Sequence, residues 1–197
     1  MRNRLFIAVA LVATLAPAAL AGPAPRAGLT IQPESRIWVE GTSTVRSYSC
    51  RAASPSGTVT TQPGSTSIAI ADLEKAVRSA EVSVAVAGLE CGNATMNTHL
   101  RKALRADTSP RITYRITSYE VAEAGGRMKL SGTLNIAGTE RPVSIDATAS
   151  NEAGKLRVKG SKQLRMTDFG VRPPTLMMGT MKVHDPVTVH FDMLLKP

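Results

Sequence analysis

The feature that most constrains the fold is a two-residue alternation of apolar and polar side chains, which begins at Arg111 and continues to the C-terminus. Ile112, Tyr114 and Ile116 alternate with charged and hydroxyl side chains. The same pattern returns near the C-terminus with Val187, Val189, Phe191 and Met193. A period of two gives each strand one apolar and one polar face. Several such strands in series must close over a shared interior, as a sandwich or a barrel.

Turn residues divide the chain into a series of predicted strands, over residues 36–44, 48–60, 65–70, 81–90, 111–122, 127–136, 141–149, 155–167 and 180–195. Tight turns separate the later strands, at residues 125–126, 137–140 and 151–154. Strands of about ten residues joined by tight turns favour an up-and-down barrel over a sandwich, whose strands are typically about five or six residues long. The fold class is therefore predicted to be all-β.

One helix is predicted between the strands, near residues 93–106. Asn93 is its candidate N-cap, and apolar side chains recur at helical spacing after it, at Met96, Leu100, Ala103 and Leu104. Residues 72–78 are compatible with a shorter helix, for which Asp72 is a candidate cap.

Residues 1–21 have the pattern of a cleavable signal peptide. Two arginines precede an apolar stretch over residues 5–15, and a small-residue motif ends at Ala21. Cleavage is expected after Ala21, followed by a disordered leader over 22–34 and a single domain over 35–197. An uncleaved anchor is the alternative, although the apolar stretch is short for a bilayer span. The protein is therefore expected in the periplasm or outside the cell.

The chain is basic, with 24 lysines and arginines against 15 acidic residues and a formal net charge of +9. The signal segment holds two of the basic residues, so the mature chain keeps 22 against 15 and a net charge of +7. Outside the cytoplasm such a surface would attract anionic membranes or acidic partners, or would serve only for solubility. The basic residues are dispersed and no nucleic-acid-binding motif is present, so nucleic acid is not an expected partner.

Cys50 and Cys91 are the two cysteines of the chain. In an oxidising compartment an isolated pair is expected to form a disulfide. Closing a loop of this length would stabilise the fold by roughly 4 kcal/mol in the chain-entropy treatment. A redox-active pair is the alternative, but it normally requires close spacing such as C-x-x-C, which is absent.

The three histidines, His99, His184 and His190, offer a weak case for a metal site because metal ligands must converge. His190 falls in the register opposite to Val189 and Phe191 and should point outward. A spacing of six residues along one strand would place His184 roughly 20 Å from it. No metal and no other cofactor is expected.

The sequence also gives little support for catalysis. The G-x-S-x-G motif of a serine hydrolase is absent, and Asp168 and Asp185 have no evident acid–base partner. We expect no catalytic residues and no enzymatic activity, with an unrecognised hydrolase as the alternative.

A methionine-rich segment suggests an apolar binding surface. Met177 and Met178 lie between a pair of prolines and Gly179. Methionine side chains suit adaptable apolar surfaces, so these two could line the entrance for a lipid tail, or could simply pack in a loop.

Several short motifs follow one another in a characteristic order along residues 36–194: Gly-Thr-Ser-Thr-Val at 41–45, Leu-Glu-Cys-Gly-Asn at 89–93, Met-Asn-Thr-His-Leu at 96–100, Pro-Arg-Ile-Thr-Tyr at 110–114, the stretch 130–139 leading to Arg-Pro-Val at 141–143, Asp-Phe-Gly-Val at 168–171 and Val-Thr-Val-His-Phe at 187–191. In this order and spacing the chain resembles the YceI-like family of exported lipid-binding proteins. The resemblance implies a lipocalin-like antiparallel barrel of eight strands with the helix inserted near residues 93–106. It further implies that the interior holds a long isoprenoid or a related amphiphile, with no catalytic residues.

The chain departs from the family pattern at three positions. Many relatives carry an Arg-Asp pair just before the histidine of the helical motif, where this chain has Met96 and Asn97. Many also carry an arginine two residues before Asp-Phe-Gly, where this chain has Met166. These changes favour a more apolar pocket and a ligand that could differ from a polyisoprenoid.

The sequence thus predicts a carrier for an isoprenoid or fatty-acyl-like lipid, with Asn97 and His99 as contacts to a polar head group. A non-catalytic interaction module with a filled barrel, acting in envelope stress, is the rival hypothesis. The predicted ligand-binding side chains on the strands are Val82, Val84, Val86, Ile112, Tyr114, Ile116, Leu130, Leu134, Ile136, Val143, Ile145, Val189, Phe191 and Met193, to which Met177 and Met178 are added.

Overall fold

The computed structural model describes residues 28–62, 65, 69–122, 126–176 and 180–197. The predicted signal peptide and cleavage site, Met177 and Met178 all lie outside the described residues, as do residues 66–68 of the strand predicted over 65–70. The last residue of that predicted strand, Ile70, begins a 3₁₀ turn instead. Within the described residues, no helix is both long enough and apolar enough to cross a bilayer.

Eight antiparallel strands dominate the described part of the chain, three of them built from two segments each. They are β1 (Gly28–Ile31 and Arg36–Ser43), β2 (Ser47–Ala52 and Ser56–Thr61), β3 (Val77–Ala85 and Leu89–Glu90), β4 (Arg111–Val121), β5 (Arg127–Ile136), β6 (Thr139–Glu152), β7 (Lys155–Arg165) and β8 (Met181–Lys196). The two segments of β1 count as one strand because both pair with β8, through Ile31 with Leu195 and through Arg36 with Asp192.

Each strand pairs with the next one in sequence, and β8 pairs back with β1, which closes the sheet into a barrel. The predicted eight-stranded antiparallel barrel is therefore confirmed. In the described part of the chain, two helices lie between strands: α1 (Leu73–Ala76) between β2 and β3, and α2 (Ala94–Ala103) between β3 and β4. The two-residue strand Thr175–Leu176 pairs with the start of β8.

Two of the hairpins use the tight turns that the sequence indicates. Ala137 and Gly138 connect β5 to β6, and Ala153 and Gly154 connect β6 to β7. All four residues have positive φ, between 47° and 81°. Two consecutive residues of positive φ are the feature of type I′ turns, whose twist matches that of the flanking strands.

The predicted disordered leader over 22–34 extends too far. Gly28–Ile31 is a strand that pairs with both β2 and β8, and Leu29 is buried. The physical reason is barrel closure, because the end of β8 would otherwise present unpaired backbone groups at an open edge. The chain therefore enters the barrel at least seven residues earlier than the predicted domain start at 35.

Three other predicted elements differ from the prediction, two by an interruption and one by its length. The strand predicted over 48–60 is interrupted between Ala52 and Ser56, where Pro55 cannot donate a ladder hydrogen bond. The strand predicted over 81–90 ends at Ala85 and passes into a 3₁₀ turn, Val86–Gly88, before Leu89. The helix predicted over 72–78 covers only Leu73–Ala76.

The barrel has two ends that differ in how they are covered. The connections β3–β4 and β7–β8 lie at one end, which we call the α2 end; it holds α2 and the 3₁₀ turn Met166–Phe169. There, Leu104 and Phe169 are buried against Val84. The opposite end, called the α1 end, is covered by Leu73 of α1, which is buried with Leu29 in a separate cluster.

Candidate ligand cavity

A cavity of about 760 Å³ occupies the interior of the barrel. All eight strands contribute to its wall, and the side chains that face it are mainly Val, Ile, Leu and Met. The lining extends from Leu73 of α1 at one end to His99 and Leu100 of α2 at the other. This volume lies within the range of about 300–1,000 Å³ that is usual for small-molecule sites.

Two aromatic rings that line the cavity lie flat against glycines of the neighbouring strand. Tyr48 is the cross-strand partner of Gly41, and a Cβ at Gly41 would lie only 2.3 Å from its hydroxyl oxygen. Phe191 pairs with Gly160, where a Cβ would lie 2.6 Å from its Cζ. Because glycine has no side chain, each ring can occupy the space at the wall instead of projecting into the lumen.

Tyr114 is held against the wall in the same way, over Gly132, where a Cβ would lie 3.0 Å from its Cε2. Its hydroxyl lies 3.1 Å from the carbonyl oxygen of Leu130 and 3.0 Å from that of Val143, and donates between them. Burial raises the pKa of Tyr114 to about 12, so the hydroxyl remains a donor at neutral pH. These three rings of the wall are thus held away from the centre.

Most of the strand residues predicted to face a ligand do line this cavity, and their contact with a ligand stays a prediction. The lining residues among them are Val82, Val84, Ile112, Tyr114, Ile116, Leu130, Leu134, Ile136, Val143, Ile145, Val189, Phe191 and Met193.

Val86 is fully buried but does not line the cavity, contrary to the prediction. The strand has already ended at Ala85, so the alternation that would turn Val86 toward the lumen is lost. Its backbone N–H donates to the Pro110 carbonyl at 2.9 Å, and its side chain packs in the cluster at the α2 end.

The two predicted head-group residues on α2 have different positions. His99 lines the cavity. Asn97 does not: its buried amide oxygen accepts from the backbone N–H of Cys91 at 2.8 Å, and its nitrogen donates to the carboxylate of Glu90. Asn97 therefore holds the segment before α2, because both polar atoms of its side chain are hydrogen-bonded to that segment.

The segment before α2 is fixed further by a disulfide. Cys50 of β2 is bonded to Cys91, which confirms the predicted pair. Asn93 accepts from the backbone N–H of Met96 at 3.1 Å and is the N-cap of α2, as predicted. Together these contacts hold α2 at its end of the barrel.

The three histidines do not converge. His99 faces the interior, whereas the Nδ1 atom of His184 lies 2.9 Å from the hydroxyl of Thr42 near the rim. His190 points outward, as predicted, and stacks on Trp38 with ring centroids 5.0 Å apart.

The two aspartates considered for catalysis are tied to the β7–β8 connection. Asp185 accepts from the backbone N–H of Thr167 at 2.9 Å and from its hydroxyl at 2.6 Å, and these hydrogen bonds lower the pKa of Asp185. The backbone carbonyl of Asp168 accepts from Arg141 at 3.0 Å. These contacts give both residues a structural part in the 3₁₀ turn.

Comparison with known families accounts for this architecture. The profile of the YceI-like domain matches residues 34–195. The chain belongs to the YceI-like family. No match was found among curated protein sequences.

Solved structures share the YceI-like fold at low sequence identity. BcnA of Burkholderia cenocepacia has 18% identity and a TM-score of 0.68, covering 82% of this chain and 96% of that one. A polyisoprenoid binding domain from Saccharophagus degradans, implicated in plant cell wall breakdown, has 13% identity and a TM-score of 0.63, covering 87% and 98%. The YceI protein of Campylobacter jejuni has 18% identity and a TM-score of 0.57, covering 74% and 82%.

The departures of this YceI-like chain from the family pattern fall partly on the cavity wall. Met96 and Met166 both line the cavity at the α2 end, so the wall is apolar at two positions where the resemblance implies charge. Asn97 lies outside the lining.

Several lining residues of this YceI-like barrel were missed from the sequence. Tyr48, Val39 and Leu164 all face the cavity, and so does Lys162. A signal for Lys162 was present, since it keeps the two-residue register of Leu164 and of the apolar residues earlier in β7. The charge of Lys162 concealed this signal, because an inward position is recognised in a sequence by an apolar side chain.

Proposed function

We propose that this YceI-like protein is an exported binding or carrier protein for a long hydrophobic ligand, an isoprenoid or a fatty-acyl lipid, held inside the barrel. The observation that carries the proposal is the cavity of about 760 Å³ lined mainly by aliphatic side chains. Burial of each ligand methylene contributes about 0.8 kcal/mol, so a ten-carbon tail would gain about 8 kcal/mol before ordering costs. This gross energy corresponds to a dissociation constant on the order of 1 μM.

The rival hypothesis, an interaction module with a filled barrel, requires opposing walls to meet side chain to side chain. The positions of the lining aromatics argue against it, because Tyr48, Tyr114 and Phe191 lie against glycines at the wall. The relative from Saccharophagus degradans, described as a polyisoprenoid binding domain, supports a lipid ligand. Catalysis has no comparable support in the site.

Export is part of the proposal and rests on two observations. The N-terminal sequence has the pattern of a signal peptide. The disulfide between Cys50 and Cys91 is a bond that persists in oxidising compartments such as the periplasm. The test is to locate the processed chain by cell fractionation, with its N-terminus determined; an unprocessed chain in the cytoplasm would contradict export.

Ligand binding is tested by native mass spectrometry of the protein purified from its own cell envelope, followed by uptake of a fluorescent prenyl or fatty-acyl probe. We expect a co-purifying lipid mass and saturable uptake. Val82→Glu places a charge on the inner face of β3, opposite the ring of Tyr114, and should abolish uptake. Gln163→Glu adds the same charge on the exposed outer face of β7 and should leave uptake unchanged.

The controls decide between the two hypotheses. Both variants must show the wild-type circular dichroism spectrum for the comparison to count. A folded wild-type protein that carries no lipid and takes up neither probe would refute the carrier proposal.

A further inference from the structure

The inner face of β7 carries one charged side chain. Lys162 lies directly opposite Val189 of β8, and Leu164 lies opposite Val187. Side chains of directly paired residues project from the same face of a sheet. Both valines line the cavity, as do Leu164 and Lys162 itself. The half-buried Lys162 side chain therefore points into the lumen.

The charged residues of the described cavity lining are of one sign. No aspartate or glutamate occurs among the described lining residues, whereas Arg46, Arg78 and Arg165 reach the lining at exposed positions. Asp146 of β6 and Asp192 of β8 pair with Ser161 and Lys159, so their carboxylates belong to the outer face. Asp192 accepts there from Arg157 at 2.7 Å.

Lys162 consequently has no ion-pair partner among the described residues. An ammonium group in an apolar wall without a counter-charge is unfavourable, and an anion supplied by a ligand would offset that cost. In the same lumen, no described acidic side chain would repel such an anion.

We propose that Lys162 binds the anionic head, a carboxylate or a phosphate, of the hydrophobic ligand; this inference rests on the proposed function. The six residues from Lys162 to Leu156 at the α1 end span about 20 Å along β7. The tail therefore extends from Lys162 toward Leu73, through the part of the cavity that has the aliphatic wall. The neutral analogue of the same lipid would lose the head-group contact but keep the tail contacts.

The test compares ligands with identical tails and different heads on the purified full chain. Palmitic acid is paired with hexadecanol, and geranylgeranyl phosphate with geranylgeraniol, each measured by displacement of the neutral probe N-phenyl-1-naphthylamine. We expect the anion to bind roughly 10- to 100-fold more tightly than its alcohol in at least one pair, as a charge-assisted hydrogen bond implies. Preference in the first pair identifies a fatty acid, and in the second a prenyl phosphate.

Three variants assign that preference to one side chain. Lys162→Met approximately keeps the length of the side chain. It should bring the ratio of anion affinity to alcohol affinity close to one, without lowering the affinity for the alcohol. Lys162→Arg should keep the preference. Lys159→Met removes a lysine from the exposed outer face of the same strand and should change neither affinity.

The outcomes separate this inference from the proposed function. Equal binding of acids and alcohols by the wild-type protein, or a preference that survives in Lys162→Met, would overturn the role of Lys162 and leave the carrier function intact. Failure of all four ligands to displace the probe would overturn both. The ratio of the affinities for anion and alcohol is measured on the wild-type protein. It can therefore refute the inference even if Lys162→Met folds poorly.

Discussion

The pairing of Gly41 with Tyr48 predicts how the width of the cavity is set. A Cβ added at Gly41 would lie 2.3 Å from the Tyr48 hydroxyl oxygen, 2.4 Å from Cζ and 2.9 Å from Cε1, and no backbone atom is among these contacts. Non-bonded carbon atoms pack at about 3.5–4.0 Å, so the ring in Gly41→Ala must withdraw by about 1 Å or more. Since the wall lies behind it, the ring moves into the lumen.

The displaced ring should shorten the longest alkyl chain that the cavity can hold. Along a series of linear alcohols, each added methylene should tighten binding by about 0.8 kcal/mol, or about fourfold, until the cavity is full. If the displaced ring excludes about two methylenes, the longest chains lose about 1.6 kcal/mol, or about 15-fold in affinity. The assay is a set of dissociation constants from decanol to octadecanol, and the readout is the chain length at which affinity stops rising.

Two further variants make the reasoning refutable. The double variant Gly41→Ala with Tyr48→Ala removes the displaced ring and should restore the longer capacity. Gly88→Ala is the matched control, since its nearest contact would be an ordinary 3.4 Å to the Ala53 Cβ. An unchanged capacity in folded Gly41→Ala, or no recovery in the double variant, would show that Tyr48 does not limit the cavity.

Three other predictions concern stability. Replacing Cys50 and Cys91 with alanine should lower the free energy of unfolding in urea by roughly 4 kcal/mol for a separation of 41 residues, and a loss under about 1 kcal/mol would contradict the loop-closure argument. Asn97→Ala leaves the Cys91 N–H without its acceptor and should cost about 1–3 kcal/mol in the same assay, while the affinity for alcohols stays unchanged; a large loss of affinity would instead give Asn97 a part in the site. Burial raises the pKa of Tyr114 from 10.0 to about 12, so the fold favours the neutral phenol, and its contribution is complete below about pH 10 and lost as the pH rises toward 12. The stability difference between wild type and Tyr114→Phe should therefore shrink over that window, and a constant difference would exclude this linkage.

Local sequence patterns determined much of this protein. The two-residue alternation identified the inward positions of β4, such as Ile112 and Ile116, and of β8, such as Val189. Asn93 was recognisable as an N-cap from its side chain and the helical spacing after it. These features depend on the few residues around them, because side-chain direction in a strand or helix follows from backbone period alone.

The predictions from sequence are wrong where contacts between distant parts of the chain override a local pattern. Val86 continues the alternation of β3 in sequence, but the strand ends before it. Gly28–Ile31 has a leader-like composition, but it joins the barrel because β8 and β2 provide partners on either side. In both cases the deciding contacts come from residues distant in the chain.

The sequence by itself determined that the chain would form one-faced strands and which side chains would share a face. Only the tertiary structure decided that the interior stays open. Whether Tyr48 fills the lumen or lies on its wall depends on which residue of β1 stands opposite, and that residue is Gly41. The reason is physical: register and closure are set by pairings between distant segments, whereas the period of a strand is set by its own backbone.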